Sequence, residues 1–242
     1  MSEEPNPYVQ LQQLFYDCYG CVKHPEHKPS KIPTIFANYV WDPESHKRYK
    51  THVEGSLNEI FFGTSLEILL ATDAQLGEES RIRLEASSMY EDTCGVDYFL
   101  FLATGELIGG LDVKCSPSSR IKSPNSISSA RDFNYRSLEG VFWIVEVGAT
   151  PQELGVFDYI QLLRDFMTEG YDLSPVTPEN FIRGELSNGR RKAALGGIKQ
   201  TLGYYVDNFN LPYSFRNGLE YLYNTVDWHI RNTGNVDYGG LY

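Results

Sequence analysis

Val96-Asp97-Tyr98-Phe99-Leu100-Phe101-Leu102, then Ala103-Thr104-Gly105, then Glu106-Leu107-Ile108-Gly109-Gly110-Leu111-Asp112-Val113-Lys114-Cys115 read as a strand, a turn and a returning strand. The first segment is dense in aromatic and branched residues, and the Gly-containing triplet breaks it. With the turn centred between Thr104 and Gly105, position 97 lies across from position 112. Two aspartates then become cross-strand neighbours, their Cβ atoms about 5 Å apart. Strand side chains alternate between faces, so Asp112 and Lys114 share one face of the sheet. Two carboxylates beside an ammonium outline a divalent-metal hydrolysis site. Gly109-Gly110 suits a close backbone approach or a bulge, and a bulge would shift Asp97 by one position relative to Asp112.

Working outward, residues 81–90, 96–102 and 106–115 form three strands joined by short turns, most simply an antiparallel meander. Residues 53–72 before them read as a long helix with apolar residues on more than one side. After the meander comes a Ser-rich, basic stretch over 116–137 whose second half has helical character. Val141-Phe142-Trp143-Ile144-Val145-Glu146-Val147 is a nearly continuous apolar run, as expected of a strand buried on both faces. Pro151-Gln152-Glu153 opens a helix to about Met167. Residues 8–20 have helical spacing, and a polar arm punctuated by Pro25, Pro29, Pro33 and Pro43 follows, with a strand expected at 35–41. The last third holds a Pro-interrupted loop at 174–180, a basic helix near 190–206 and an aromatic helix over 215–230. The expected organisation is one α/β domain overall: a helix and irregular arm over 1–52, an α/β core over 53–168, and a helical C-terminal extension over 169–242 packed on the core.

The 242 residues include 32 acidic against 21 Lys and Arg, a formal charge of -11. An anionic partner must therefore be met by local basic patches rather than by net charge. Two such patches stand out: Arg120, Lys122, Arg131 and Arg136 just after Lys114, and Arg183, Arg190, Arg191, Lys192 and Lys199 later in the chain. No apolar stretch approaches the roughly 20 residues that span a bilayer, and residues 1–5 lack the marks of a secretory signal, so a soluble, cytoplasmic protein without membrane partners is expected. Four cysteines are too few and scattered for a secreted disulfide framework. Cys18, Cys21, His24 and His27 place four zinc-ligand types within ten residues. The two-residue gap between the histidines is tighter than the usual three to five, so a pair of free thiols at a helix end beside exposed histidines is the competing interpretation. Among the 17 tyrosines some could stack on unpaired bases, though core packing accounts for many. Nucleotide-binding loops, dinucleotide fingerprints and serine-hydrolase or zincin motifs are missing from the sequence, so no nucleotide cofactor is expected.

The order helix, three strands, helix, strand, helix, with Asp97, fourteen intervening residues and then Asp112-x-Lys114 on the hairpin, resembles the PD-(D/E)XK nuclease superfamily over residues 53–168. Val96 stands where the name of that motif has proline. The resemblance implies a restriction-endonuclease-like αβββαβ core, its mixed sheet flanked by helices, and a Mg²⁺-dependent endonuclease acting on DNA, with Mn²⁺ able to substitute. It places metal binding on Asp97 and Asp112 and water activation on Lys114, and it implies a homodimer. Gly55-Ser56-Leu57-Asn58-Glu59 resembles the place from which the first helix of that family adds a glutamate, which singles out Glu59 with Glu54 and Glu67 as alternatives. The residue types suit the chemistry independently: a phosphodiester resists hydroxide until a cation neutralises charge and acidifies a water, and Mg²⁺ prefers hard oxygen ligands. The alternative is a non-catalytic interaction or assembly protein keeping the same fold. A hydrolase of a smaller phosphate ester is a third.

Overall fold

A computed structural model describes residues 6–22, 32–44, 47–77, 81–87, 95–115, 124–127, 142–190 and 192–239. Those residues form a mixed α/β fold around a five-stranded sheet. In chain order come helices α1 (Pro7–Val22), α2 (Ile32–Trp41) and α3 (Lys50–Gln75), strands β1 (Ile82–Ala86), β2 (Tyr98–Leu102), β3 (Leu107–Val113), β4 (Asn125–Ile127) and β5 (Phe142–Val147), then helices α4 (Pro151–Leu154), α5 (Val156–Glu169), α6 (Pro178–Ser187), α7 (Lys192–Asn208) and α8 (Tyr213–Asn232). The spatial strand order is β1-β2-β3-β5-β4. The meander β1-β2-β3 is antiparallel, β5 lies parallel beside β3, and β4 runs antiparallel on the outer edge of β5.

The central position of β3 explains its burial. Six of its seven residues are buried, because it is paired on both edges and covered on both faces. One face carries the large core: Tyr98, Leu100, Leu111, Val113, Val145 and Val147 meet residues of α3, α7 and α8 there. The other carries a smaller cluster of Val96, Phe99, Phe101, Phe142 and Ile144. Two glycines let the layers close. A Cβ on Gly109 would stand 2.3 Å from the Phe215 ring of α8, and one on Gly63 would stand 2.2 Å from the Tyr98 hydroxyl oxygen. Helix α3 is buried nearly all round, with Val53, Leu57, Phe61, Phe62, Leu66 and Leu69 at 0 % exposure, and so reads as an apolar rod rather than an amphipathic surface helix.

Several expectations are corrected. Residues 35–41 are not a strand but part of α2: Pro33, Phe36, Ala37 and Val40 are buried and recur at helical spacing, and Phe15 of α1 packs on Phe36 with ring centroids 4.8 Å apart. The branched and aromatic composition suggested a strand, but the i, i+3, i+4, i+7 pattern decides the contacts. The helix after Pro151 is two helices, since Gly155 adopts a left-handed φ of 71° after the Thr150–Glu153 capping box and ends the first turn. The loop expected to extend to 180 gives way to α6 at Pro178, capped by Thr177. The stretch 116–137 includes the short strand β4, while its second half lies outside the described residues. Among the described residues no helix is long and apolar enough to cross a membrane.

Candidate functional site

The hairpin turns half a residue earlier than expected, which offsets the pairing by one, and then compensates for it. The Leu102 N–H donates to the Glu106 carbonyl at 2.8 Å, centring the turn on Thr104, and Phe101 pairs with Leu107. That register alone would set Asp97 across from Leu111. A bulge between Leu100 and Phe101 then shifts the pairing by one, to Leu100 with Gly109, Phe99 with Gly110 and Tyr98 with Leu111. The ladder ends at Tyr98, and the Asp97 N–H donates to the Leu111 carbonyl, so Asp97 lies next to Leu111 with Asp112 one residue along. The bulge restores the expected register as far as Tyr98.

Asp97 brackets Asp112 through the backbone. Its N–H donates to the Leu111 carbonyl at 2.9 Å, and its Oδ2 accepts from the Val113 N–H at 2.6 Å. The carboxylate thus occupies a ladder position, which fixes its rotamer. On the other edge, β5 places Glu146 level with Asp112 in the parallel pairing. Asp97 just before β2, Asp112 of β3 and Glu146 of β5 form a row of three acids, with Asp112 and Glu146 on the sheet face of the smaller cluster by strand alternation. Lys114 follows on the same face, with its N–H donating to the Val147 carbonyl at 2.8 Å and its Nζ 2.5 Å from Asp112 Oδ1. The aspartates are 4 % and 7 % exposed, whereas the Lys114 side chain is 46 % exposed. The acids therefore line the floor of the site and the ammonium stands at its mouth.

Burial pushes the Asp112 carboxyl up to about 6; the adjacent Lys114 opposes that shift, and the Asp97 and Glu146 charges add to it. Lys114 is held above its ordinary range: burial works against its charge, but Asp112, Asp97 and Glu146 outweigh it. Two glycines shape the surroundings. Gly95, at φ +83°, would place a Cβ 3.9 Å from Asp112 Oδ2, so its lack of a side chain keeps that oxygen approachable. A Cβ on Gly148 would stand 2.1 Å from the Lys114 carbonyl oxygen, so β3 and β5 can converge there only on glycine.

Of the three helix glutamates, Glu59 is half-buried on α3, and its carboxylate is the leading charge, after burial, that pushes the Cys115 thiol up to about 11. That puts it within electrostatic reach of the residue after Lys114. Glu54 accepts a 2.8 Å hydrogen bond from Tyr39 of α2, and the charged neighbour of Glu67 is Glu179 of α6. Glu146 and Tyr205 were missed by sequence reasoning. The Tyr205 hydroxyl oxygen accepts from the Glu146 N–H at 3.1 Å, and burial pushes its own proton affinity up to about 12. The signal for Glu146 was visible: an acid inside a run that otherwise reads as buried on both faces is an anomaly. Tyr205 had none, since α7 meets β5 only through the tertiary fold.

Among the described residues no three Asp, Glu, His or Cys side chains are grouped closely enough to hold one metal ion. Strand spacing accounts for this, since β2 and β5 are two spacings, roughly 10 Å, apart and only neighbouring acids can share an ion. Mg²⁺ is commonly held by one or two carboxylates while keeping waters and substrate phosphates, so the Asp97 and Asp112 pair, with Glu146 alongside, fits Mg²⁺ or Mn²⁺ and their hard oxygen preference.

The basic candidates are distributed differently. Arg120, Lys122, Arg131, Arg136 and Arg191 lie outside the described residues, as do His24 and His27. Cys18 and Cys21 fall in the helical backbone of α1. Lys192 is exposed, and exposed Arg190 approaches Glu185 at 3.6 Å. Arg183 pairs with Glu179 at 2.7 Å and donates to the Tyr238 carbonyl at 2.9 Å, and Lys199 pairs with Asp227 at 2.6 Å. The second basic patch is thus largely matched by carboxylates. Comparison with protein-family models, with curated proteins and with solved structures gives no match.

Proposed function

We propose that the protein is a Mg²⁺-dependent phosphodiesterase acting on DNA, with a restriction-endonuclease-like core built on the meander and the parallel strand beside it. The observation that carries the reading is the row of Asp97, Asp112 and Glu146 across neighbouring strands, with Lys114 paired to Asp112. A sheet whose motif strand is paired antiparallel to the preceding hairpin strand and parallel to the strand that follows agrees with the expected core. Asp97 and Asp112 would hold the cation, which supplies charge neutralisation and a more acidic water. Lys114 donates from the mouth of the site, where its ammonium offsets charge developing on the phosphoryl oxygens and orients the attacking water. The Val113 N–H holds Asp97 in place, and Gly95 leaves the approach to Asp112 open.

The test incubates the protein with plasmid, linear and single-stranded DNA in Mg²⁺ or Mn²⁺, beside Lys114→Ala and Asp112→Asn. Loss of cleavage in both folded variants supports the site, and residual activity equal to wild type refutes it. Turnover of bis(p-nitrophenyl) phosphate without DNA cleavage would redirect the reading to a smaller phosphate ester. The second reading, a non-catalytic assembly protein of the same fold, is favoured by one observation: Arg183, Arg190 and Lys199 already face carboxylates. DNA binding with a steep salt dependence distinguishes the nuclease from it.

A further inference from the structure

The C-terminal end of α3, helix α8 and the segment 233–239 enclose a cavity of about 650 Å³, separate from the carboxylate row. Beneath it lies a buried relay. His229, at 0 % exposure, contacts the Tyr238 hydroxyl through Nδ1 at 2.7 Å and Asp73 Oδ1 through Nε2 at 2.8 Å. One imidazole tautomer satisfies both contacts, with the Tyr238 hydroxyl donating to Nδ1 and the Nε2–H donating to the Asp73 carboxylate. Asp73 is itself 8 % exposed and lines the cavity, while its Oδ2 accepts no hydrogen bond from the described residues. The carboxylate is held by His229 through one oxygen and offers the other to the cavity, where a donor can reach it.

The walls indicate which donor. Asp237 adds a second carboxylate, Trp228 and Tyr221 supply aromatic surface, and Asn224 and Asn235 supply amides, while the lining includes no lysine or arginine. Trp228 is 43 % exposed, so its ring is available at the opening. An anion would meet two like charges, and an apolar molecule would displace water from two carboxylates without replacing its hydrogen bonds. We propose that this cavity binds an alkylguanidinium group, whose planar cation stacks on Trp228 while its N–H groups reach the Asp73 carboxylate. The group has two sources, a free small molecule or the arginine side chain of a partner polypeptide.

The test titrates the full-length protein calorimetrically with n-propylguanidinium and with n-propylurea, which has the same shape without the charge. The peptides acetyl-Gly-Arg-Gly-amide and its citrulline counterpart form a second arm. Saturable n-propylguanidinium binding at least about 10-fold tighter than n-propylurea is expected. Trp228→Ala alone is expected to weaken it about 2- to 5-fold. Both Trp228 and Asp237 are exposed, so the double variant Trp228→Ala with Asp237→Asn keeps the fold and should weaken binding about 10-fold or more. Asp73→Asn should abolish binding, checked against a circular dichroism spectrum. An arginine peptide binding more tightly than n-propylguanidinium supports the partner side chain, and one binding no more tightly supports the small molecule. Equal affinity for guanidinium and urea probes, or wild-type binding by the double variant, overturns the proposal. None of these readouts depends on DNA cleavage.

Discussion

Replacing Asp112 by asparagine should stabilise the protein at neutral pH, and by an amount that vanishes in acid. Burial holds the folded Asp112 carboxyl at about 6, against about 3.9 for an unperturbed aspartate. A carboxyl raised on folding binds its proton more tightly in the native state, so native stability falls as pH rises from about 4 to about 6 and the full penalty applies above that window. For a shift of this size the ionised group costs little at pH 4 and on the order of 3 kcal/mol at pH 7.5. The Lys114 contact is already contained in that balance, as are the opposing charges of Asp97 and Glu146. Asparagine has nearly the same shape and carries no charge, so Asp112→Asn should gain about 2–3 kcal/mol at pH 7.5 and little at pH 4. For a chain of this length that gain is roughly 4–12 °C in melting temperature. Urea denaturation of both proteins at the two pH values, with chelator present, measures it. A variant equally or less stable at pH 7.5, or a difference that does not change with pH, would refute the account of Asp112 as a charge held against its solvation preference. Such a residue is kept at a cost to stability, as expected at a functional site.

The same shift governs cation affinity. Because protons compete for Asp112, the apparent affinity for Mg²⁺ or Mn²⁺ should rise about tenfold per pH unit below about 6 and level off above it. Titration calorimetry between pH 5 and 8 checks this, and a flat profile across that range contradicts it. Glu146→Gln removes one of the charges raising Asp112, so the midpoint of that profile should move to lower pH, with an unmoved midpoint counting against coupling along the row. Gly148→Ala places a methyl 2.1 Å from the Lys114 carbonyl oxygen and should cost about 1–3 kcal/mol or more, as expected of overpacking. Thermal melting reads that loss, and a melting temperature matching wild type would mean that β3 and β5 separate there freely.

The hairpin shows how local pattern and tertiary structure share the work. Strand identity was legible because the β-formers of Tyr98 to Leu102 and the run Leu107 to Val113 flank a turn glycine, which specifies a hairpin locally. The hairpin register was legible as far as Tyr98 with Leu111, but through two offsets that cancel: the turn centres half a residue early, and the bulge restores the register. The ring of Phe215, seated where a Gly109 side chain would project, is a contact from a helix more than a hundred residues away, and nothing local to the hairpin announces it. The strand expected at 35–41 failed for a related reason. Its composition favours a sheet, whereas its spacing presents Phe36, Ala37 and Val40 to α1 and α3, and packing outweighs intrinsic preference.

By itself the sequence determined the α/β class, the long buried helix before the meander, the hairpin and the approach of Lys114 to Asp112. These follow from periodicity and turn chemistry, which act over a few residues. Only the tertiary structure decided that β5 lies parallel against β3 and so places Glu146 beside Asp112. The same long-range packing joins Asp73 to His229 and Tyr238 under a cavity, across 156 residues of chain in the first contact. Such juxtapositions depend on which apolar faces find one another in the collapsed chain, and that choice is made by the whole core at once.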